Sequence, residues 1–134
     1  LDGRPRPIHL EHGMANIQWE RDTEWVRENL INAITIIYRD ENGTVERTGL
    51  HQREFLDTYR VSTKKELPIR RNGSVHVINL VEGQRAFLIS QGEAFPPFAL
   101  HYAETCIVPE AAGAYRILSP EGEPIRAIIA CVRG

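Results

Sequence analysis

The sequence has little cysteine, no excess of positive charge and no long apolar run. Its two cysteines, Cys106 and Cys131, follow no C-x-x-C spacing, so we expect two free, half-buried thiols in a reducing compartment. A disulfide would require the strands that carry them to pair. The net charge of -2 argues against a nucleic-acid surface, which needs clustered Lys and Arg. Neither a membrane-spanning stretch nor a signal peptide is visible, so we expect a cytoplasmic protein with no membrane partner.

The strongest positive signal is a series of short β-rich runs separated by tight turns. In the last sixty or so residues these runs are 74–83, 84–90, the proline-broken 94–98, 103–109, 114–118 and 125–132. Earlier runs cover 33–38, 44–47 and 55–62, and the first two are joined by a hairpin-type turn at 40–43. Strands at this spacing, with no long helical pattern between them, predict an antiparallel sandwich or barrel of at least about seven strands.

Helical patterns are confined to the start of the chain. One covers residues 7–19, and a weaker one covers 22–32 with Asp22 or Thr23 as its N-cap. Residues 1–32 are therefore predicted to form a helical N-terminal arm, and residues 33–134 a β-barrel, within one domain overall. The chain begins without Met or targeting character, so we expect it to be the middle of a longer chain.

The nearest approach to a basic patch lies between two β-rich runs. Arg70 and Arg71 stand there, with Pro68 before them and Asn72-Gly73 after them. Proline and Asn-Gly are typical turn residues, so this segment is interpreted as a solvated turn.

Two segments resemble the C-terminal part of type I mannose-6-phosphate isomerases. Asp2-Gly-Arg-Pro-Arg-Pro-Ile-His-Leu-Glu-His12 is similar to a stretch near the start of that region, and Ala103–Tyr115 to its strand-turn-strand ending. Between them, Val77–Gly83 resembles the strand and turn of the first conserved cupin motif. The resemblance implies a mainly β, cupin-like antiparallel jelly-roll barrel.

The same resemblance implies that the zinc chemistry lies elsewhere. In that family the zinc ligands, Gln, His, Glu and His, come from an upstream barrel, and a catalytic Arg stands in a further motif that this sequence lacks. A metal-binding cupin also carries His-x-His in its first motif, because alternate strand residues face the same side, and a later His. Here the segment ahead of Val75 has no His, and Ala114-Tyr115-Arg116 replaces the later one. We therefore expect no metal and no cofactor in this chain, with zinc only in an upstream lobe.

Three functional hypotheses remain. In the first, the chain is the metal-free C-terminal domain of a mannose-6-phosphate isomerase-like protein, inactive alone, that supports the upstream catalytic lobe as its partner. In the second, it is a metal-free carbohydrate-binding cupin module, with His76, Arg85, His101 and Tyr115 at the barrel mouth binding a sugar or sugar phosphate. In the third, it is an independent isomerase with an unrecognised site. A homo-oligomer is compatible with each, and no catalytic residue is assigned.

Overall fold

The computed structural model describes residue 3 and residues 6–31, 33–48 and 54–133. The chain divides into two units, Leu1–Ile31 and Asn32–Gly134. Part of the segment from Asp2 to His12 that carries the family resemblance lies outside the described residues, and so does His51.

The first unit contains two short helices, α1 (Leu10–Asn16) and α2 (Thr23–Asn29). The carboxylate of Asp22 accepts a hydrogen bond of 2.9 Å from the backbone N–H of Trp25, which makes Asp22 the N-cap of α2. The predicted helical segment is confirmed, and Asp22 rather than Thr23 is its cap. Both helices are shorter than the patterns that predicted them.

The second unit is a barrel of two antiparallel sheets. Its strands are β1 (Thr35–Arg39), β2 (Gly43–Arg47), β3 (Leu56–Thr63), β4 (Glu66–Ile69), β5 (His76–Glu82), β6 (Arg85–Ser90), β7 (Phe98–His101), β8 (Thr105–Val108), β9 (Tyr115–Leu118) and β10 (Ile125–Val132). One sheet has the order β1-β2-β3-β10-β5-β8, and the other has the order β4-β9-β6-β7. The predicted mainly β jelly-roll architecture is confirmed.

The turn between β1 and β2 forms as the sequence predicts. The Asp40 carboxylate accepts hydrogen bonds from the backbone N–H groups of Asn42, at 2.8 Å, and Gly43, at 3.0 Å. Such an Asx turn fixes the chain reversal with one side chain.

Prolines affect two segments of the barrel. Pro68 lies within β4 and stands opposite Arg116 of β9, whereas residues 70–75, which follow it, lie in no strand. The strand tolerates proline because β4 lies at the edge of its sheet, where a missing N–H breaks no second ladder. The run 94–98 is predicted as a strand, but β7 begins only at Phe98. Pro96 and Pro97 have no backbone N–H to donate, so they cannot form the ladder hydrogen bonds of a strand.

The barrel interior is filled by aliphatic side chains from both sheets. Ile78 and Leu80 of β5, Leu67 of β4, Ile117 of β9 and Ile129 of β10 are each at most 1% exposed. Burial of each such side chain contributes about 1.5–3 kcal/mol to folding. Because successive side chains of a strand point to opposite faces, the aliphatic residues at alternate positions determine which face of each sheet faces the interior.

The two cysteines lie on strands that do not pair with each other. Cys106 on β8 and Cys131 on β10 flank β5 from opposite sides, and both thiols are free. Burial raises the pKa of each thiol, so both are protonated at neutral pH. Within the described part of the chain, no helix is long and apolar enough to cross a membrane.

Candidate functional site

Two buried polar side chains and a buried cysteine form a row that interrupts the aliphatic interior at one end of the barrel. In the paired strands β3, β10 and β5, Asp57 stands opposite Cys131, and Cys131 stands opposite His76. Each of the three is 2% exposed. Buried polar groups are costly unless they are hydrogen-bonded, so the partners of this row decide what it can do.

His76 is held from both sides of its ring. Its Nδ1 lies 2.8 Å from the hydroxyl of Tyr115, and its Nε2 lies 3.2 Å from Oδ1 of Asn72. Because Asn72 Oδ1 can only accept, Nε2 carries the proton, and Nδ1 accepts from the Tyr115 hydroxyl. Burial lowers the pKa of His76 to about 4, and the nearby positive charge of Arg71 adds to the effect. The imidazole is therefore neutral at physiological pH.

Asn72 connects this chain of hydrogen bonds to β10. Its Nδ2 donates to the carbonyl of Val132 at 2.9 Å and to the sulfur of Cys131 at 3.2 Å. The carbonyl partner fixes which end of the amide faces His76. Gly73 follows with φ +77°, a left-handed conformation that glycine adopts without strain, and so the chain turns between β4 and β5.

Asp57 is the centre of a separate ionic cluster. Its carboxylate lies 2.5 Å from Arg47 Nη2 and 3.8 Å from Arg133 Nη2, and it accepts a 3.2 Å hydrogen bond from the Tyr59 hydroxyl. Burial opposes ionisation of this carboxyl, but the hydrogen bond and charge of Arg47, with help from Tyr59 and Arg133, outweigh it and lower its pKa. Asp57 is therefore a charged, fully engaged carboxylate that orients Tyr59.

The burial and pairing of Arg71 contradict the interpretation of its segment as a solvated turn. Its side chain is only 10% exposed, and its Nη2 lies 2.6 Å from Glu110 Oε2. The same nitrogen donates to the carbonyl of Ser74 at 2.8 Å, and the guanidinium carbon lies 5.8 Å from the centre of the Tyr115 ring. Sequence spacing could not show this, because Glu110 is 39 residues away.

These polar side chains border a cavity of about 340 Å³. Its walls come from both sheets and from the segment that joins β4 to β5. The lining residues are Ile37, Tyr38, Val45, Tyr59, Pro68, Ile69, Arg70, Arg71, Asn72, His76 and Ile129. Apolar walls with a few convergent polar groups are typical of small-molecule sites.

A second cleft, of about 470 Å³, lies at the opposite edges of the two sheets, beside β7 and β8. Prolines, phenylalanines and aliphatic residues line it, including Phe95, Phe98 and Ile107. The Cys106 thiol is the one side-chain hydrogen-bonding group among its lining residues, so this cleft offers little basis for recognising a polar ligand.

The four residues predicted at the barrel mouth are divided between its two ends. His76 and Tyr115 are bonded to each other, and of the two only His76 lines the cavity. Tyr115 is opposite Ser90 of β6, so Arg85 stands five residues further along that strand, about 17 Å away. His101 of β7 stands opposite Arg85 of β6. The Nδ1 atom of His101 lies 3.0 Å from the Glu104 carboxylate, and both of these side chains are exposed. The four residues therefore do not share one site.

Sequence reasoning missed five polar residues that line the cavity: Tyr38, Tyr59, Arg70, Arg71 and Asn72. A usable signal is the period-two alternation of β3, because it puts Asp57 and Tyr59 on one face of the strand. No local pattern identified Arg71 or Asn72, whose partners are distant in sequence.

The barrel does not present a fitting set of metal ligands. Over the described ranges, no three His, Cys, Asp or Glu side chains lie close enough together to hold a metal ion. Both ring nitrogens of His76 are occupied by Tyr115 and Asn72. Coordination through His76 would break one of these bonds inside the barrel.

We expect the purified protein to contain no stoichiometric zinc or iron, because protein zinc sites use at least three ligands from such groups. Elemental analysis of protein prepared without chelators measures this directly. One metal per chain that is lost in the His76→Gln variant but kept in His101→Gln would contradict the expectation.

The two sheets, their strand order and their interior define a cupin-type jelly-roll barrel. No protein-family model and no curated protein matches the sequence. Among solved structures, the chain is similar to mannose 6-phosphate isomerase from Bacillus subtilis, with 12% identity and a TM-score of 0.57 over 72% of this chain and 27% of that one. It therefore spans about a quarter of the length of that isomerase.

Two smaller proteins are also similar in structure. A cupin-2 domain from Rhodospirillum rubrum matches with 10% identity and a TM-score of 0.58 over 75% of this chain and 70% of that one. A cupin 2 conserved barrel domain protein from Salinispora arenicola matches with 14% identity and a TM-score of 0.54 over 98% and 89%. At these identities the likeness establishes the fold.

Proposed function

We propose that the barrel is a metal-independent binding module for a small polar ligand of the carbohydrate class. The observation that carries the proposal is the cavity bordered by Tyr38, Tyr59, Asn72 and His76, each held by a partner in or behind the wall. Small-molecule sites have volumes of about 300–1,000 Å³, so a cavity of about 340 Å³ suits a single sugar ring better than a chain.

The hydrogen bonds behind the wall prepare it for a ligand with hydroxyl groups. The Tyr38 hydroxyl donates to Asp40 at 2.8 Å, and the Tyr59 hydroxyl donates to Asp57 at 3.2 Å. Each phenol oxygen thus has its proton committed and keeps a lone pair for a ligand hydroxyl. Because the partners already fix the side chains, binding costs little conformational entropy.

The remaining wall suits the carbon skeleton of a sugar. Ile37, Val45 and Ile129 contribute aliphatic surface next to the tyrosines. A sugar ring presents hydroxyl groups at its edge and C–H groups on its faces, so it can use both kinds of surface at once. A purely apolar ligand would leave the polar groups of this wall without partners, at a cost in affinity.

A second candidate function is support for a sugar-phosphate isomerase lobe. It is favoured by the structural similarity to the Bacillus subtilis isomerase, which the chain covers over 27% of that protein's length, and by the two sequence segments that resemble that family. In this proposal a cytoplasmic protein carries a zinc-containing catalytic lobe upstream, and the barrel is its partner. The chain alone, with zinc added, would then not interconvert mannose 6-phosphate and fructose 6-phosphate in a coupled assay. Turnover that survives repurification would contradict it.

The binding proposal predicts that one hydroxyl in the cavity matters for affinity. We expect Tyr59→Phe to weaken binding of the tightest sugar about fivefold, because a hydrogen bond of about 1 kcal/mol is lost. The measurement is isothermal titration calorimetry with a panel of monosaccharides, sugar acids and sugar phosphates in the presence of EDTA. Tyr102→Phe removes the same group from an exposed tyrosine outside the cavity lining and serves as the control.

Two results would overturn the binding proposal. The first is the absence of binding across the whole panel. The second is an equal loss of affinity in Tyr59→Phe and Tyr102→Phe, which would place the ligand elsewhere. Urea denaturation of both variants separates a loss of binding from a loss of folded protein.

A further inference from the structure

The charged groups that line the cavity are all positive. Arg70 and Arg71 stand in its wall, and no Asp or Glu is among its lining residues. Three carboxylates lie behind the wall, and each accepts hydrogen bonds from a lining residue: Asp40 from Tyr38, Asp57 from Tyr59, and Glu110 from Arg71. These three carboxylates orient the side chains of the wall, but none of them lines the cavity itself.

Arg71 adds a guanidinium group to this wall. Its Nε and Nη2 are directed to Glu110 and Ser74, and the guanidinium also interacts with the Tyr115 hydroxyl. These contacts fix the orientation of the side chain. An arginine side chain carries five N–H donors, so a guanidinium in the wall of a cavity suits an anionic acceptor.

Arg70 supplies a second positive charge to the same wall. Its side chain is exposed at the end of β4, and it takes part in none of the ion pairs formed by the described residues. Arg71 is paired with Glu110, so Arg70 is the charged side chain of the lining that no ion pair among the described residues offsets. A polar wall with this charge favours a ligand that carries a negative group.

We infer that the ligand carries an anionic group, a carboxylate or a phosphate, bound by the guanidinium groups of Arg70 and Arg71. The inference rests on the proposed function: Tyr38, Tyr59 and Asn72 contact the hydroxyl-bearing part of the ligand, and the two arginines select for its charge. Charge-assisted hydrogen bonds to guanidinium groups are about twice as strong as neutral ones, so the anionic group contributes more than a single hydroxyl does.

The test compares glucose, glucuronate, glucose 6-phosphate and inorganic phosphate by calorimetry in EDTA. We expect the preferred anionic sugar to bind at least about tenfold more tightly than glucose. Glucuronate and glucose 6-phosphate distinguish a carboxylate from a phosphate, and inorganic phosphate shows whether the anion binds without the sugar. The preference should weaken in 0.5 M NaCl, because salt screens an exposed charge such as Arg70.

Variants locate the effect. Arg70→Gln and Arg71→Lys should each weaken binding of the anionic sugar about five- to tenfold, and by a larger factor than either weakens binding of glucose. Arg126→Gln removes the same charge from a side chain that is paired with Glu82 outside the cavity, and it should change neither. Arg70 is exposed, so its variant stays informative even if Arg71→Lys impairs folding.

The outcomes separate the two claims. If glucose binds as tightly as the anionic sugars and Arg70→Gln has no effect, the inference is wrong and the proposed binding function stands. If neither glucose nor any anionic probe binds, the proposed function fails and the inference fails with it. If Arg126→Gln weakens anion binding as much as Arg70→Gln does, the charge selection does not reside in the cavity.

Discussion

We expect the barrel to lose stability as the pH falls from 6.5 to about 4, with His76 responsible for much of the loss. The pKa of His76 is about 4 in the folded protein against 6.5 for the free side chain. Above pH 6.5 the imidazole is neutral in both states and its contribution is fully present. Below that pH the unfolded chain takes up a proton first, so the folded state is progressively disfavoured. The full difference corresponds to about 3 kcal/mol.

The measurement is urea denaturation at intervals across this pH range. His76→Gln removes the titrating ring, so its free energy of unfolding should depend much less on pH, although it starts from a lower value. His101→Gln removes an exposed imidazole and should keep the pH dependence of the unmodified protein. An equal slope in His76→Gln and in the unmodified protein would show that His76 is not the titrating group.

The second large effect concerns the ionic cluster at the opposite side of the polar row. We expect Asp57→Ala to lower the free energy of unfolding by about 3 kcal/mol, because it removes the buried carboxylate that Arg47 and Arg133 share. Denaturation in urea at pH 7 measures this.

Glu82→Ala provides the matched control. Glu82 forms an ion pair with Arg126, but both side chains are exposed, at 57% and 40%. Exposed pairs contribute about 0–1 kcal/mol, so this variant should be close to neutral. If the two variants proved equally mild, Asp57 would not anchor this end of the barrel.

Several features of the barrel could be predicted from the sequence because they depend on local rules. Strand alternation puts His76, Ile78 and Leu80 on one face of β5, and the structure buries all three in the interior. The Asp40 turn follows from side-chain hydrogen bonds within three residues. The N-cap at Asp22 has the same local origin.

The features that failed depend on pairing over long distances. Arg85 and His101 were assigned to the same mouth as Tyr115, but the register of β6 with β9 places them at the other end. Arg71 was interpreted as a solvated charge because its partner, Glu110, lies 39 residues away. Asn72 was missed for the same reason: its hydrogen bonds go to Cys131 and Val132 of β10, which are distant in sequence.

The cavity differs in its chemistry from the metal site that a metal-binding cupin would have. Where a metal-binding barrel would present free imidazoles, this one has a neutral histidine with both ring nitrogens hydrogen-bonded. The hydrogen-bonded series Tyr115–His76–Asn72 is held in place and uncharged, so the groups around it recognise the ligand. The carboxylates behind the wall orient the tyrosines in the same way that outer-shell partners orient the ligands of a metal.

The most direct test of the binding proposal is chemical-shift mapping by nuclear magnetic resonance. The protein is titrated with glucose, glucuronate and glucose 6-phosphate in the presence of EDTA. We predict that at least one of them shifts the amide resonances of Tyr38, Tyr59 and Asn72 and the ring resonances of His76, and leaves those of Arg85 and His101 unchanged. Shifts that appear only after metal is added, or that map to Arg85 and His101, would contradict the proposal.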